Sequence, residues 1–289
     1  MLVVSCSHGI HLGPTVAKKL RSKHSKLFFS KFPDDEIYIR FDCGLRGMKV
    51  VLVQSFYKNI NDCLIEAILA ARTAEDLGAK KIILAAPYFP YLRQDKKFHN
   101  GEAVSQKIIA GLMNNYFDEI LIMDPHLHRE SKLGHIFKIK SKKLTANSLI
   151  ADYIKKNIKN PVIIGTDEES YKWAKSVAEL IGVESRILEK KRYSSYHVEV
   201  KLSKKIDLKN KNAVIVDDIV STGHTILETA NKLRKFGAGK IYCICVHGIF
   251  VNSALEKLQR AGIKVISTNT IPSRVARIDV GKIFGDGLK

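Results

Sequence analysis

Val214–Thr225 reads VIVDDIVSTGHT: an aliphatic run ending in two carboxylates, Asp217 and Asp218, then a short polar loop. Past Thr225, the apolar residues Ile226, Leu227, Ala230, Leu233 and Phe236 recur at helical intervals, and Gly237 stops the helix where a left-handed residue costs least. The pattern is strand, loop, helix. Ser221, Thr222, Gly223, His224 and Thr225 stand where the helix begins. Backbone N–H groups and small hydroxyls there can surround a phosphate, and the helix dipole favours its charge. Gly223 permits close backbone approach. Asp217 and Asp218 can accept hydrogen bonds from vicinal sugar hydroxyls. A plain strand end followed by a Ser/Thr helix cap accounts for part of this string but not all of it.

The same alternation runs through the chain. The aliphatic runs VVLVQS, KIILAAPY, EILIMD, NPVIIGTD, NAVIVDD and KIYCICV are separated by segments of helical spacing. Runs of this kind fit strands buried on both faces, as in a parallel sheet covered by helices. There is also an internal echo. Val50–Phe89 and Ala213–Phe250 share the order strand, loop, helix, strand, with the near-identical punctuation GAKKI and GAGKI. The expectation is an α/β protein of two related tandem domains, 1–145 and 146–289, each a mainly parallel sheet flanked by helices. The polar stretch Ser141–Leu149, after the strand-like HIFKIK, marks the boundary, and the helix Ala146–Ile158 belongs with the second domain.

The 289 residues carry 48 Lys plus Arg against 29 Asp plus Glu, a formal charge of +19. A hydrophobic fraction of 45% excludes a disordered chain. The basic residues are scattered as short Lys clusters, which reads as solvated surface rather than as a nucleic-acid footprint, with a basic cleft for a small phosphorylated substrate as a third reading. No apolar run approaches a membrane span, and MLVVSCSHG has no basic n-region ahead of its apolar residues, so a secretory signal is not expected. With five cysteines and no C-x-x-C pair, reduced thiols and a cytoplasmic address are expected. Cys243 and Cys245 alternate in KIYCICV and should be buried on one face. There is no G-x-x-x-x-G-K-[ST] loop for a nucleotide.

VIVDDIVSTGHT resembles the phosphoribosyl-pyrophosphate loop of the type I phosphoribosyltransferase fold. Four further segments are similar to those of the ribose-phosphate pyrophosphokinases: FPDDEIYIRF (Phe32–Phe41), PYFPYLRQDKKF (Pro87–Phe98), MDPHLH (Met123–His128) and STNTIP (Ser267–Pro272). They occur in the family's order, from about residue 30 to 272. Single-domain transferases lack the duplication, so the resemblance implies the synthetase, with two phosphoribosyltransferase-like domains. It implies transfer of the pyrophosphoryl group of ATP to the 1-hydroxyl of ribose 5-phosphate, with AMP leaving.

The resemblance also distributes roles. Arg93 is assigned to the ATP phosphates and Gln94 to the adenosine end. Phe32, Asp34, Asp35 and Glu36 belong to an adenine pocket shared with a neighbouring subunit, which implies a homo-oligomer. Asp35 stands where the family usually has Gly, so the turn should avoid positive φ or accept strain. His126 and Asp167 are the implied Mg2+ contacts, with His128 nearby and Asp124 as structural support. Lys190 and Arg192, in LEKKRYSS, match the family's Lys-x-Arg of a mobile loop: the Lys stabilises the transferred group, and the Arg contacts a phosphate. Asp217, Asp218 and 221–225 bind ribose 5-phosphate. After the RQD motif, Gly101 and Ala103 replace the Arg and Pro of many family members.

Overall fold

The structure is a computed structural model that describes residues 1–127, 132–192, 198–202 and 208–289, with only the backbone at 169, 188–192 and 198–202. The chain divides into two compact units. The first holds Met1–Thr145, Thr270–Pro272 and Val280–Lys289, and the second Ala146–Asn269 and Ser273–Asp279.

In the first unit β1 (Leu2–Ser5), α1 (Gly13–Leu20), β2 (Lys23–Lys26), β3 (Phe28–Lys31), β4 (Ile37–Arg40), β5 (Lys49–Val53), α2 (Ile60–Asp76), β6 (Lys81–Ala86), α3 (Ser105–Met113), β7 (Glu119–Met123) and β8 (Lys140–Leu144) follow in order. The sheet order is β2-β1-β5-β6-β7-β8, with every pair parallel. β3 and β4 form a separate antiparallel ribbon. The central strands are buried almost throughout, which is why they read as unbroken aliphatic runs. α2 buries Ala67, Ala70, Ala71 and Ala74, whose small side chains at helical spacing let it lie close to the sheet.

The second unit contains α4 (Asn147–Asn157), β9 (Pro161–Gly165), α5 (Glu168–Ile181), β10 (Ser185–Arg192), β11 (Val198–Leu202), β12 (Asn212–Val220), α6 (His224–Lys235), β13 (Ile241–Gly248), α7 (Ala254–Arg260), β14 (Ile263–Thr268) and β15 (Ala276–Ile278). Its sheet order is β11-β10-β9-β12-β13-β14-β15, parallel except for β10 against β11. Omitting β11, the two orders are the same when β9 is matched to β1 and β12 to β5. The echo in sequence is thus a duplication of topology. Each sheet reverses its strand order beside its first strand, between β1 and β5 and between β9 and β12, and open α/β sheets bind ligands at that point. Cys243 and Cys245 lie in the second core, on one face of β13, as free buried thiols.

Three expectations need correction. HIFKIK, expected as a strand, begins at the end of a 3-10 turn, Leu133–His135, and the strand lies later, at Lys140–Leu144, just before the division between the units at Thr145 and Ala146. β8 is an edge strand, where lysines are tolerated because one side faces water. The last helix, α8 (Gly281–Gly287), belongs to the first unit and not to the 146–289 half. It packs on α1 through a Lys19–Asp286 ion pair of 3.0 Å, and Lys142 donates to the Gly287 carbonyl. Finally, the backbone of Lys190 and Arg192 is not loop but the end of β10, paired with β11 at Val200 and Val198.

Candidate active site

The second unit's reversal point gathers Asp167, Asp217 and Asp218. β9 ends at Gly165, and Asp167 follows two residues later as the cap of α5. Its Oδ1 accepts the Ser170 N–H at 2.9 Å, and Ser170 Oγ accepts the Asp167 N–H at 3.0 Å, a reciprocal cap. Asp167 remains exposed at the surface. From the neighbouring strand β12 come Asp217, half-exposed, and Asp218, buried. Asp217 Oδ1 accepts the Asp218 N–H at 3.0 Å, and Asp218 Oδ1 accepts the Ile219 N–H at 2.7 Å. Desolvation first, then the negative fields of Asp218 and Asp167, push the Asp217 carboxyl well above the usual carboxylate range. Three carboxylates therefore share one strongly negative crevice. Sugar hydroxyls or a cation would relieve it.

The loop beyond β12 stays small. Gly223 adopts φ 74°, and a Cβ there would stand 3.2 Å from the Leu258 side chain. No side chain caps α6, and its first turn contains no acidic residue. Its leading N–H groups and positive dipole end thus suit a phosphate. Ser221 is half-buried, Thr222 exposed and Thr225 half-buried, so both kinds of surface, backbone and hydroxyl, are within reach of a ligand. His224 is exposed and pairs with Glu228 at 3.2 Å. The side chains of Lys190 and Arg192 lie outside the described residues, as does His128.

The first unit supplies the other residues singled out in sequence. Phe32, Asp34, Asp35 and Glu36 form the exposed turn of the β3–β4 ribbon. The Phe32 carbonyl accepts the Asp35 N–H at 3.0 Å, and the Glu36 carbonyl accepts the Phe32 N–H at 2.8 Å. Asp35 takes φ 70°, so the turn keeps the left-handed geometry a glycine would give it, and Asp bears the strain better than most residues. Phe32 packs edge-on against Tyr38 at 5.7 Å, and Phe28 against Tyr38 at 6.1 Å. His126 is half-buried beyond β7, following Asp124, which is fully buried at φ 32°.

Arg93 and Gln94 sit in the loop between β6 and α3, Arg93 exposed and Gln94 half-buried. The start of α3 ties this loop down. Gln106 donates Nε2–H to the Leu92 carbonyl and its N–H to the Gln94 carbonyl, each at 3.3 Å. Glu102 accepts the Phe98 N–H at 2.7 Å and a Gln94 Nε2–H at 3.4 Å. Sequence patterns single out neither Glu102 nor Gln106, because nothing in a string marks which loop residue folds back on another. Among the described residues, no group of three or more His, Cys, Asp or Glu side chains forms a metal cage.

The chain is similar to known proteins in sequence and fold. Residues 1–116 match the family model of the N-terminal domain of ribose phosphate pyrophosphokinase, and 133–281 match the phosphoribosyl transferase domain. A ribose-phosphate pyrophosphokinase of Methanothermobacter thermautotrophicus is 38% identical over 290 residues, covering 100% of both chains. One from Pyrococcus furiosus is 34% identical over 97% of each. The crystal structure of phosphoribosylpyrophosphate synthetase from Mycobacterium smegmatis superposes with a TM-score of 0.86 at 26% identity, over 99% of this chain and 97% of that one. With both halves of the duplication matched along their length, the chain belongs to the ribose-phosphate pyrophosphokinase family.

Proposed function

We infer that this chain is a ribose-phosphate pyrophosphokinase in activity as well as ancestry: it transfers the pyrophosphoryl group of ATP to the 1-hydroxyl of ribose 5-phosphate, giving 5-phosphoribosyl 1-pyrophosphate and AMP. The observation that carries the reading is the second reversal point, a carboxylate-lined crevice beside an uncapped helix start built of small residues.

Each group then has a task. Residues 221–225 hold the 5-phosphate through N–H groups and hydroxyls at the head of α6. Asp217 and Asp218 accept hydrogen bonds from the ribose hydroxyls, and this fixes the 1-hydroxyl for attack on the β-phosphorus. Phosphoryl chemistry of this kind depends on positioning and on stabilising charge that spreads over oxygens. Lys190 takes that role at the transferred group, Arg192 at a substrate phosphate and Arg93 at the ATP phosphates. Gln94 meets the adenosine end. His126 and Asp167 are the groups that would hold Mg2+; the negative field on Asp217 fits a cation nearby, and a bound Mg2+ neutralises phosphate charge.

Phe32, with Asp34, Asp35 and Glu36, reaches the adenine of a second copy in a homo-oligomer. The exposure of Phe28 (43%) and Phe32 (50%) on the ribbon supports that use, since aromatic faces left in water favour a partner. No described helix is long and apolar enough to cross a membrane, and we place the enzyme in the cytoplasm with its substrates. The test is incubation with ATP, Mg2+ and ribose 5-phosphate. AMP should appear in step with an acid-labile sugar pyrophosphate. Release of ADP, or no turnover, counts against the reading; base-dependent pyrophosphate release from 5-phosphoribosyl 1-pyrophosphate would mark a transferase instead.

A further inference from the structure

We propose that the second unit holds a nucleotide-binding site apart from its carboxylate crevice: a cavity beside α4 that takes a nucleoside monophosphate, with the base on tyrosine and the phosphate on lysine and arginine. The inference does not rest on the activity assigned above.

The cavity has a volume of about 580 Å³, within the range of small-molecule sites. α4 lines it with Tyr153 and Ile158, the sheet with Tyr242 and Lys264, and the segment around β15 with Arg274 and Arg277. Among its described lining residues are three cations and no carboxylate. Lys264 Nζ lies 5.6 Å from the centre of the Tyr242 ring. Arg274 Nη2 donates to Glu256 at 2.6 Å and to Gln259 at 3.1 Å. That anchor offsets one charge, but a guanidinium has five donors, more than the anchor uses, and the wall stays positive. Tyr242 pairs with Lys264 towards the amino ends of β13 and β14. It also pairs with Val214, which precedes Asp217 by ~10 Å along β12, so the cavity is not the carboxylate crevice. The duplicated frame does not require it either. In the first unit α8 packs on α1 as α4 packs on α5, yet α8 closes directly on the matching strands. A Cβ on Gly287 would stand 2.9 Å from the Leu144 side chain and 3.1 Å from that of Leu121. The tyrosines offer flat faces on which a base stacks, and the cations attract a phosphate dianion. A nucleotide joins both in one ligand. A bare anion would leave the rings unused, and a ring without phosphate would leave the cations unused.

The test is calorimetric titration of the protein with GMP and with UMP, under saturating ribose 5-phosphate so that residues 221–225 are occupied. At least one of the two should bind, and inorganic phosphate should bind about tenfold more weakly or worse. The double variant Lys264→Ala, Arg277→Ala, at exposed positions, should raise the Kd about tenfold or more, the weight of a charged hydrogen bond. Tyr153→Ala should raise it about fivefold or more, the weight of a lost stacking face. Binding of neither nucleotide overturns the proposal. So does a Kd within twofold of wild type in the double variant, or phosphate binding as tightly as the nucleotides, which would mark an anion patch only. A uridine oligonucleotide without a terminal phosphate that binds as tightly as UMP would give the cavity to RNA instead. A particle mass that changes in the double variant by light scattering, with nucleotide affinity intact, would give it to a second copy of the chain. Either result overturns the proposal. Absence of AMP release from ATP, measured separately, bears on the activity and not on this site.

Discussion

The two reversal points share a frame and differ in what fills it. In the second unit, β12 carries Asp217 and Asp218 near its carboxyl end; in the first, β5 is followed at the same places by Gln54 and Ser55. Gln54 accepts the His8 N–H at 3.0 Å and donates to Glu66 at 2.7 Å, and Glu66 also accepts the Ser7 N–H at 2.7 Å. Ser55 donates to the Thr270 carbonyl. Phe56 is fully buried and stacks edge-on against Phe89 at 5.4 Å, where the second unit has Ile219 of β12. Even the helix starts differ: α2 has Asp62 in its first turn and α6 has no acidic residue there. Burial raises both Glu66 and Asp217, but hydrogen bonds from Ser7 and Gln54 offset the shift at Glu66, while two more carboxylates increase it at Asp217. At the first reversal point a buried carboxylate is met by donors; at the second, carboxylates face one another across neighbouring strands.

Predictions that could break this contrast begin with catalysis. Lys190→Ala should lower kcat about 100- to 1,000-fold, the usual effect of removing one charge-stabilising group, with the KM for ATP little changed. An unaltered kcat would remove Lys190 from the mechanism. Next, Asp217→Ala should cut kcat/KM for ribose 5-phosphate by about 10- to 100-fold, the weight of a charged hydrogen bond. Gln54→Ala, at the matching place in the first unit, should leave that KM unchanged and lower the melting temperature. If both variants behaved alike in kinetics, the two crevices would not be functionally distinct.

Stability sharpens the other side. Glu66→Ala strands the Ser7 and Gln54 donors and should cost about 2–3 kcal/mol in denaturant unfolding. Because Glu66 has a raised folded pKa, its contribution is present below its ordinary value of 4.5 and is lost as pH rises through the folded value. Glu66→Gln should therefore flatten the fall of stability between pH 4.5 and the raised folded value, as read by unfolding at several pH values. The smallest effect is expected for Gly223→Ala. Holding alanine at φ 74° against Leu258 should cost about 1 kcal/mol, with a few-fold rise in the KM for ribose 5-phosphate.

Much of this was legible in the string because its signals are local. Strands buried on both faces write themselves as aliphatic runs, and the GAKKI and GAGKI punctuation exposed the duplication. The errors have a common cause. β8 looks like a polar linker because it is a lysine-bearing edge, and α8 looks like the tail of the second half because its partners, Lys19 and Lys142, lie more than 140 residues away in the chain. Sequence named Asp167 and Asp217 separately, but the field that one exerts on the other depends on β9 lying beside β12.

By itself, then, the sequence determined the strand and helix content, the duplication and the loop that suits a sugar phosphate, since each is encoded by neighbours along the chain. Only the tertiary structure decided the strand order, the unit that takes the last helix and which reversal point is closed by its own hydrogen bonds. Those outcomes depend on pairings between distant residues, and the free energy of a buried polar group is set by what the fold brings against it.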